Sequence, residues 1–133
     1  MAGFDVASPE WRLQAGQAVW QPPAPAPAIA GDVVLGTHPD GHRFIDFSKG
    51  SLPIVVVRYS PGAWQLEIPA EGQSFGRRGS PPPRSAWLVL ARHLAGAPLP
   101  RGWNLVQGTT GTVRLWEPRV GEQLELYLDP ACD

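Results

Sequence analysis

The sequence predicts a mainly β domain of the α+β class, an antiparallel sheet curled around one helix. Short apolar or alternating runs recur along the chain, separated by Gly, Pro, Asp and Ser. Sixteen prolines and fifteen glycines argue against long helices. Only Ser85 to Ala95 carries apolar residues at helical spacing, ended by Gly96 with Pro98 beyond it. At 133 residues the chain can close one core, so residues 1–133 are read as a single domain.

Residues 1–9 form a lead-in. Trp11 to Ala15 alternates as a strand, and Gly16 is expected to interrupt it before Ala18-Val19-Trp20, with Trp11 and Trp20 packing in the core or at an edge. The proline spacing of residues 21–28 predicts a stiff, extended connector inside the domain. Ile29 to Gly36 and His42 to Ser48 form a hairpin across Pro39-Asp40-Gly41, where Pro presets φ and Gly accepts positive φ. Ile45 and Phe47 point to the core, although Phe44 blurs the alternation.

Leu52 to Tyr59 is continuous in apolar and β-branched residues, so both of its faces need cover. Leu52 itself falls in a turn-like Lys-Gly-Ser-Leu-Pro segment, where a hairpin tip is normally polar. Trp64, Leu66 and Ile68 then share one face of a half-buried strand, and a short strand surrounds Ser74-Phe75. Trp87, Leu88, Leu90, Ala91 and Leu94 give the helix a broad apolar stripe that belongs on the concave side of the sheet. Strands at Trp103 to Gln107, Thr112 to Glu117 and Gln123 to Leu128 complete the fold, the last two as a hairpin.

Charged residues make up only 17% of the chain and the net charge is -1, so no global field selects nucleic acid or an anionic surface. A lone Cys132 cannot form an intramolecular disulfide. No apolar run is long enough to span a bilayer as a helix, and Met1-Ala2-Gly3 opens no signal segment. His38, His42 and Asp40 superficially resemble metal ligands, yet they sit on one turn with no partners legible behind them, so no metal is expected. Arg77, Arg78 and Arg84 around Gly79-Ser80 could grip a phosphate, but no glycine fingerprint accompanies them and a solvated basic loop is the expectation. Ser48, Ser51, His42 and Asp46 match no hydrolase motif, and His93 is read as a satisfied histidine. No catalytic residue and no cofactor is expected.

The order of elements resembles the LolA/LolB lipoprotein-carrier family of bacteria, and within it the outer-membrane receptor branch. The residues that carry the resemblance are Arg43 to Val57, RFIDFSKGSLPIVVV, then Trp64-Gln65-Leu66, then Leu94-Ala95-Gly96-Ala97-Pro98-Leu99-Pro100. It implies an unclosed half-barrel with the helix packed on its concave face, in the periplasm or at the periplasmic face of the outer membrane of a Gram-negative bacterium. It also implies that Leu52 inherits the role of a projecting leucine that helps deliver lipidated cargo during transient membrane contact. The chain departs from the family in showing no N-terminal helix and in carrying Cys132 far from where a lipidated cysteine would stand.

Two functional classes follow. In the first, a non-catalytic carrier or receptor holds acyl chains of lipids or lipoproteins against Ile45, Phe47, Val55, Val57, Trp64, Leu66, Trp87 and Leu90, using burial for affinity without chemical specificity. In the second, the same residues form a filled core, and the domain is a structural or adaptor module of a cell-envelope assembly that uses its Pro-rich segment and exposed tryptophans as contacts.

Overall fold

In the computed structural model, residues 10–23, 25–69, 72–78, 85–108 and 111–129 are described. The N-terminal lead-in, Gly79 to Arg84 and Cys132 lie outside them. The elements run β1 (Arg12–Gln21), β2 (Ile29–Thr37), β3 (Arg43–Lys49), β4 (Leu52–Ser60), β5 (Ala63–Ile68), β6 (Gln73–Arg78), α1 (Ala86–Leu94), β7 (Asn104–Gln107), β8 (Thr112–Glu117) and β9 (Glu122–Leu128). One nine-stranded antiparallel sheet has the order β6-β5-β4-β3-β2-β1-β9-β8-β7. It does not close, because β6 and β7 are its two edges. The result is the half-barrel expected, with α1 against its inner face.

The helix is bounded as its sequence dictates. Ser85 is the N-cap, extended at φ -144°, and its side chain accepts from the Trp87 N–H. At the other end Gly96 takes φ 86°, Ala97 N–H donates to Arg92 O, and Gly96 N–H donates to His93 O, the paired bonds of a Schellman stop. Ala86 to Ala91 are all buried, so the helix is enclosed rather than laid on the sheet by one stripe.

Several local expectations change. Gly16 does not interrupt β1, which pairs without a break to β2 and to β9. A Cβ there would stand 2.3 Å from the Tyr127 carbonyl oxygen, so the glycine permits β9 to approach rather than ending the strand. The Pro-rich segment is not extended. It reverses the chain between paired Trp20 and Ile29, with the Gln21 amide donating to the carbonyls of Pro22 and Ala26. Leu52 stands just past the turn, as the first residue of β4 paired to Lys49, and the two-residue turn is Gly50-Ser51 with Gly50 at φ 62°.

Phe44 also finds its reason. Its ring covers Gly36, where a Cβ would lie 2.0 Å from a ring carbon, and it meets Trp11 edge-on with centroids 5.3 Å apart. The alternation is broken because the outer face has an aromatic cluster of its own, which replaces the side chain a glycine lacks.

Gly16→Ala is expected to destabilise the protein by about 2 kcal/mol or more, because the clash is with backbone that cannot rotate away. Urea unfolding of the variant beside the parent measures this, and an unchanged midpoint would show that β9 does not approach as closely as described.

Candidate functional site

The eight residues expected to face acyl chains come together. Register pairs Phe47 with Val55, Ile45 with Val57, and Val57 with Leu66, which places them on one face of the sheet. Trp87 and Leu90 enter from α1. The Trp87 ring lies 4.9 Å from that of Phe47, tilted by 32°, and meets Trp20 edge-on at 5.8 Å. Trp64 stands further along the same face, and all eight belong to one core.

That core is occupied by its own side chains. Ile45, Phe47, Val55 and Val57 retain 0% exposure, so no water-sized space opens against them. The concave face is covered by α1.

One polar atom inside the core is out of place. The indole nitrogen of Trp87 is buried and has no hydrogen-bond acceptor, in a residue only 1% exposed. Its neighbours are rings and methyls. Buried donors nearly always find an acceptor, and an orphaned one costs about 1–3 kcal/mol.

The residue that holds the helix in place is Glu122, which the sequence reading left in the turn before β9. Its carboxylate is 2% exposed. It accepts from the Trp20 indole N–H at 2.9 Å and from the Ala86 N–H at 3.0 Å, tying together β9, β1 and the first turn of α1. Burial pushes its pKa above the ordinary 4.5, although the bonds from Trp20 and Ala86 pull the other way. The preceding turn aims it inward: Glu117 accepts from the backbone N–H groups of Arg119 and Val120, and Gly121 takes φ 73°. At the far end of α1, Arg43 donates from Nε to Leu94 O at 3.2 Å and from Nη1 to the carbonyls of His38 and His42. The helix thus has a carboxylate at its positive end and a guanidinium at its negative end.

Leu52 is 58% exposed. It stands at the rim that also carries the β1–β2 connection and the β8–β9 turn, where Val120 is exposed as well. The His38-Asp40-His42 turn is at the opposite rim. Asp40 Oδ1 lies 2.8 Å from His38 Nδ1 and 2.7 Å from His42 Nδ1, and it also accepts the His42 backbone N–H. That backbone bond is the main reason its carboxyl sits below the usual range. Among the described residues no three His, Cys, Asp or Glu side chains are placed to hold a metal ion.

Comparison with protein-family models and with curated proteins finds no match to this chain.

Glu122 gives a pH dependence of definite sign. Its raised folded-state pKa means that the native protein holds the proton more tightly than the unfolded chain. Its contribution is therefore full below the ordinary carboxylate value and is lost as pH rises through the raised one. Glu122→Gln removes that titration and, by placing an NH₂ against one of two donors, costs about 1–3 kcal/mol. The unfolding free-energy gap between parent and variant is expected to be widest in mild acid and to narrow toward neutral pH. A gap that is flat, or widens with pH, would show that Glu122 is not buried as described.

Proposed function

We propose that the protein is a non-catalytic lipid- or lipoprotein-binding carrier of the cell envelope, held here in its closed form, that takes up acyl chains against the concave face when α1 yields. The periplasm, or the periplasmic face of a Gram-negative outer membrane, is the compartment that fits this role. The observation that carries the reading is the unsatisfied indole N–H of Trp87 inside the largely apolar core. An ester or amide carbonyl at the head of an acyl chain is the acceptor it lacks, and the surrounding Phe47, Val55, Val57 and Leu90 would grip the chain itself.

The magnitudes are compatible. Baring Trp87, Leu88, Val89 and Leu90 would cost roughly 6–12 kcal/mol at about 1.5–3 kcal/mol each. Burying a long acyl chain of about fifteen methylenes returns about 12 kcal/mol at about 0.8 kcal/mol apiece. One long chain can therefore offset the opening, whereas a short one cannot. Exposed Leu52 would contribute at most about 2 kcal/mol in hydrocarbon, enough to assist transfer and too little to anchor the protein.

A second reading, a structural or adaptor domain of an envelope assembly, is favoured by the complete occupation of the core around Ile45, Phe47, Val55 and Val57. Native mass spectrometry of freshly purified protein, before and after incubation with a diacylated lipopeptide, separates the two. The carrier reading expects a one-to-one adduct that Trp87→Phe weakens while leaving thermal stability unchanged or raised, since the variant removes an orphaned donor and keeps most of the ring. Absence of any adduct would leave the adaptor reading. Leu52→Glu is expected to keep the parent melting temperature and to slow delivery of bound lipopeptide to liposomes. Failure of that variant to fold would mean that Leu52 is packed rather than projecting.

A further inference from the structure

On the outer face of the sheet, away from the core, β4, β5 and β6 form a pocket of about 650 Å³ at the free edge. Register sets its floor. Ser60, Ala63 and Arg78 make one cross-strand row, and Arg58, Gln65 and Gly76 the next, both on the face opposite inward-pointing Trp64 and Leu66. Small Ser60, Ala63 and Gly76 leave the depression and Arg58 and Arg78 flank it, whereas Arg77, which also borders it, is paired with Trp64 and so belongs to the other face of the edge strand. Arg58 spends one nitrogen on Glu67, at 2.6 Å. Arg77 and Arg78 have no acidic partner among the described residues, and the strand that carries them is exposed throughout.

We infer that this pocket binds a phosphate-bearing group. Arg58 and Arg78 bring two guanidinium groups to one concavity, and Glu67 engages only one nitrogen of Arg58, so the remaining donors suit an anion with several oxygens. Guanidinium forks match phosphate oxygens two at a time. The volume exceeds that of a bare phosphate, so the group is carried on a larger molecule. It is also placed apart from the membrane tip: Arg58 follows Leu52 along β4 by about 20 Å at about 3.3 Å per residue. The site therefore stands independently of the acyl-chain reading, and a failure of either leaves the other untouched.

The phosphate could come from a soluble ester or from a lipid headgroup, and the test has an arm for each. Glycerol 3-phosphate is titrated at constant ionic strength and followed by amide chemical shifts. Separately, vesicles of phosphatidylglycerol in phosphatidylcholine are assayed by flotation. Arg78→Gln, on an exposed strand, is expected to fold normally and to weaken binding by about tenfold, and Arg77→Gln, on the other face of that strand, to weaken it less. Gly76→Val is expected to weaken it by filling the floor without altering charge, and Arg114→Gln, on a strand beyond β1, to leave it unchanged. Saturable shifts at β4–β6 with the soluble ester support a soluble ligand, and arginine-dependent flotation alone supports a headgroup. Binding to neither probe, or binding that Arg77→Gln and Arg78→Gln do not alter, overturns the site.

Discussion

The Glu122 carboxylate sits where the first strand, the last strand and the helix meet, and the rest of the architecture depends on that junction. A helix buried on every side needs its first-turn N–H groups satisfied away from water, and here a side chain from β9 does what solvent does for an exposed helix. The same carboxylate takes the Trp20 N–H, so the indole can lie edge-on to Trp87 without stranding its donor. Arg43 performs the complementary task at the other end. Between these two anchors Ala86 to Ala91 are buried, so polar bonds at its ends help fix the position of the helix and burial along its length supplies stability.

This division bears on function. A core filled to zero exposure is what a permanently closed domain requires, and it is equally the resting form of a site whose wall is one removable helix. On the proposed carrier reading, the orphaned Trp87 donor is the group that an incoming acyl chain would satisfy. The inner and outer faces also differ in kind. One is apolar apart from indole N–H groups and the Glu122 carboxylate, and the other carries Arg58 and Arg78 beside small side chains.

Most of the fold was legible in the letters. Period-two alternation located the strands, Gly and Pro marked their turns, and the one helical period placed α1 within a residue of its observed ends. The failures have physical causes. Gly16 reads locally as a breaker, but its role is set by a strand more than a hundred residues away, which no local pattern encodes. The prolines of residues 21–28 restrict φ, yet strand pairing on both sides overrode their extended preference. Glu122 was legible in principle: Leu124 and Leu126 face inward, and continuing the alternation back by two puts residue 122 inward as well. It was passed over because a carboxylate at an inward position looks like the end of a strand rather than part of it.

The order of the strands has a consequence for how the molecule is made. β1 lies inside the sheet between β2, which follows it directly, and β9, which is made much later; the Trp20–Glu122 bond alone spans 102 residues. The nascent chain can zip β1 to β6 as successive local hairpins, but β1 must then wait with one border bare until β9 has been made. Such a seam closes late against a large entropic penalty and leaves a sticky strand uncovered in the meantime. The moment of greatest vulnerability for this protein thus falls during its biogenesis, before β1 and β9 have met.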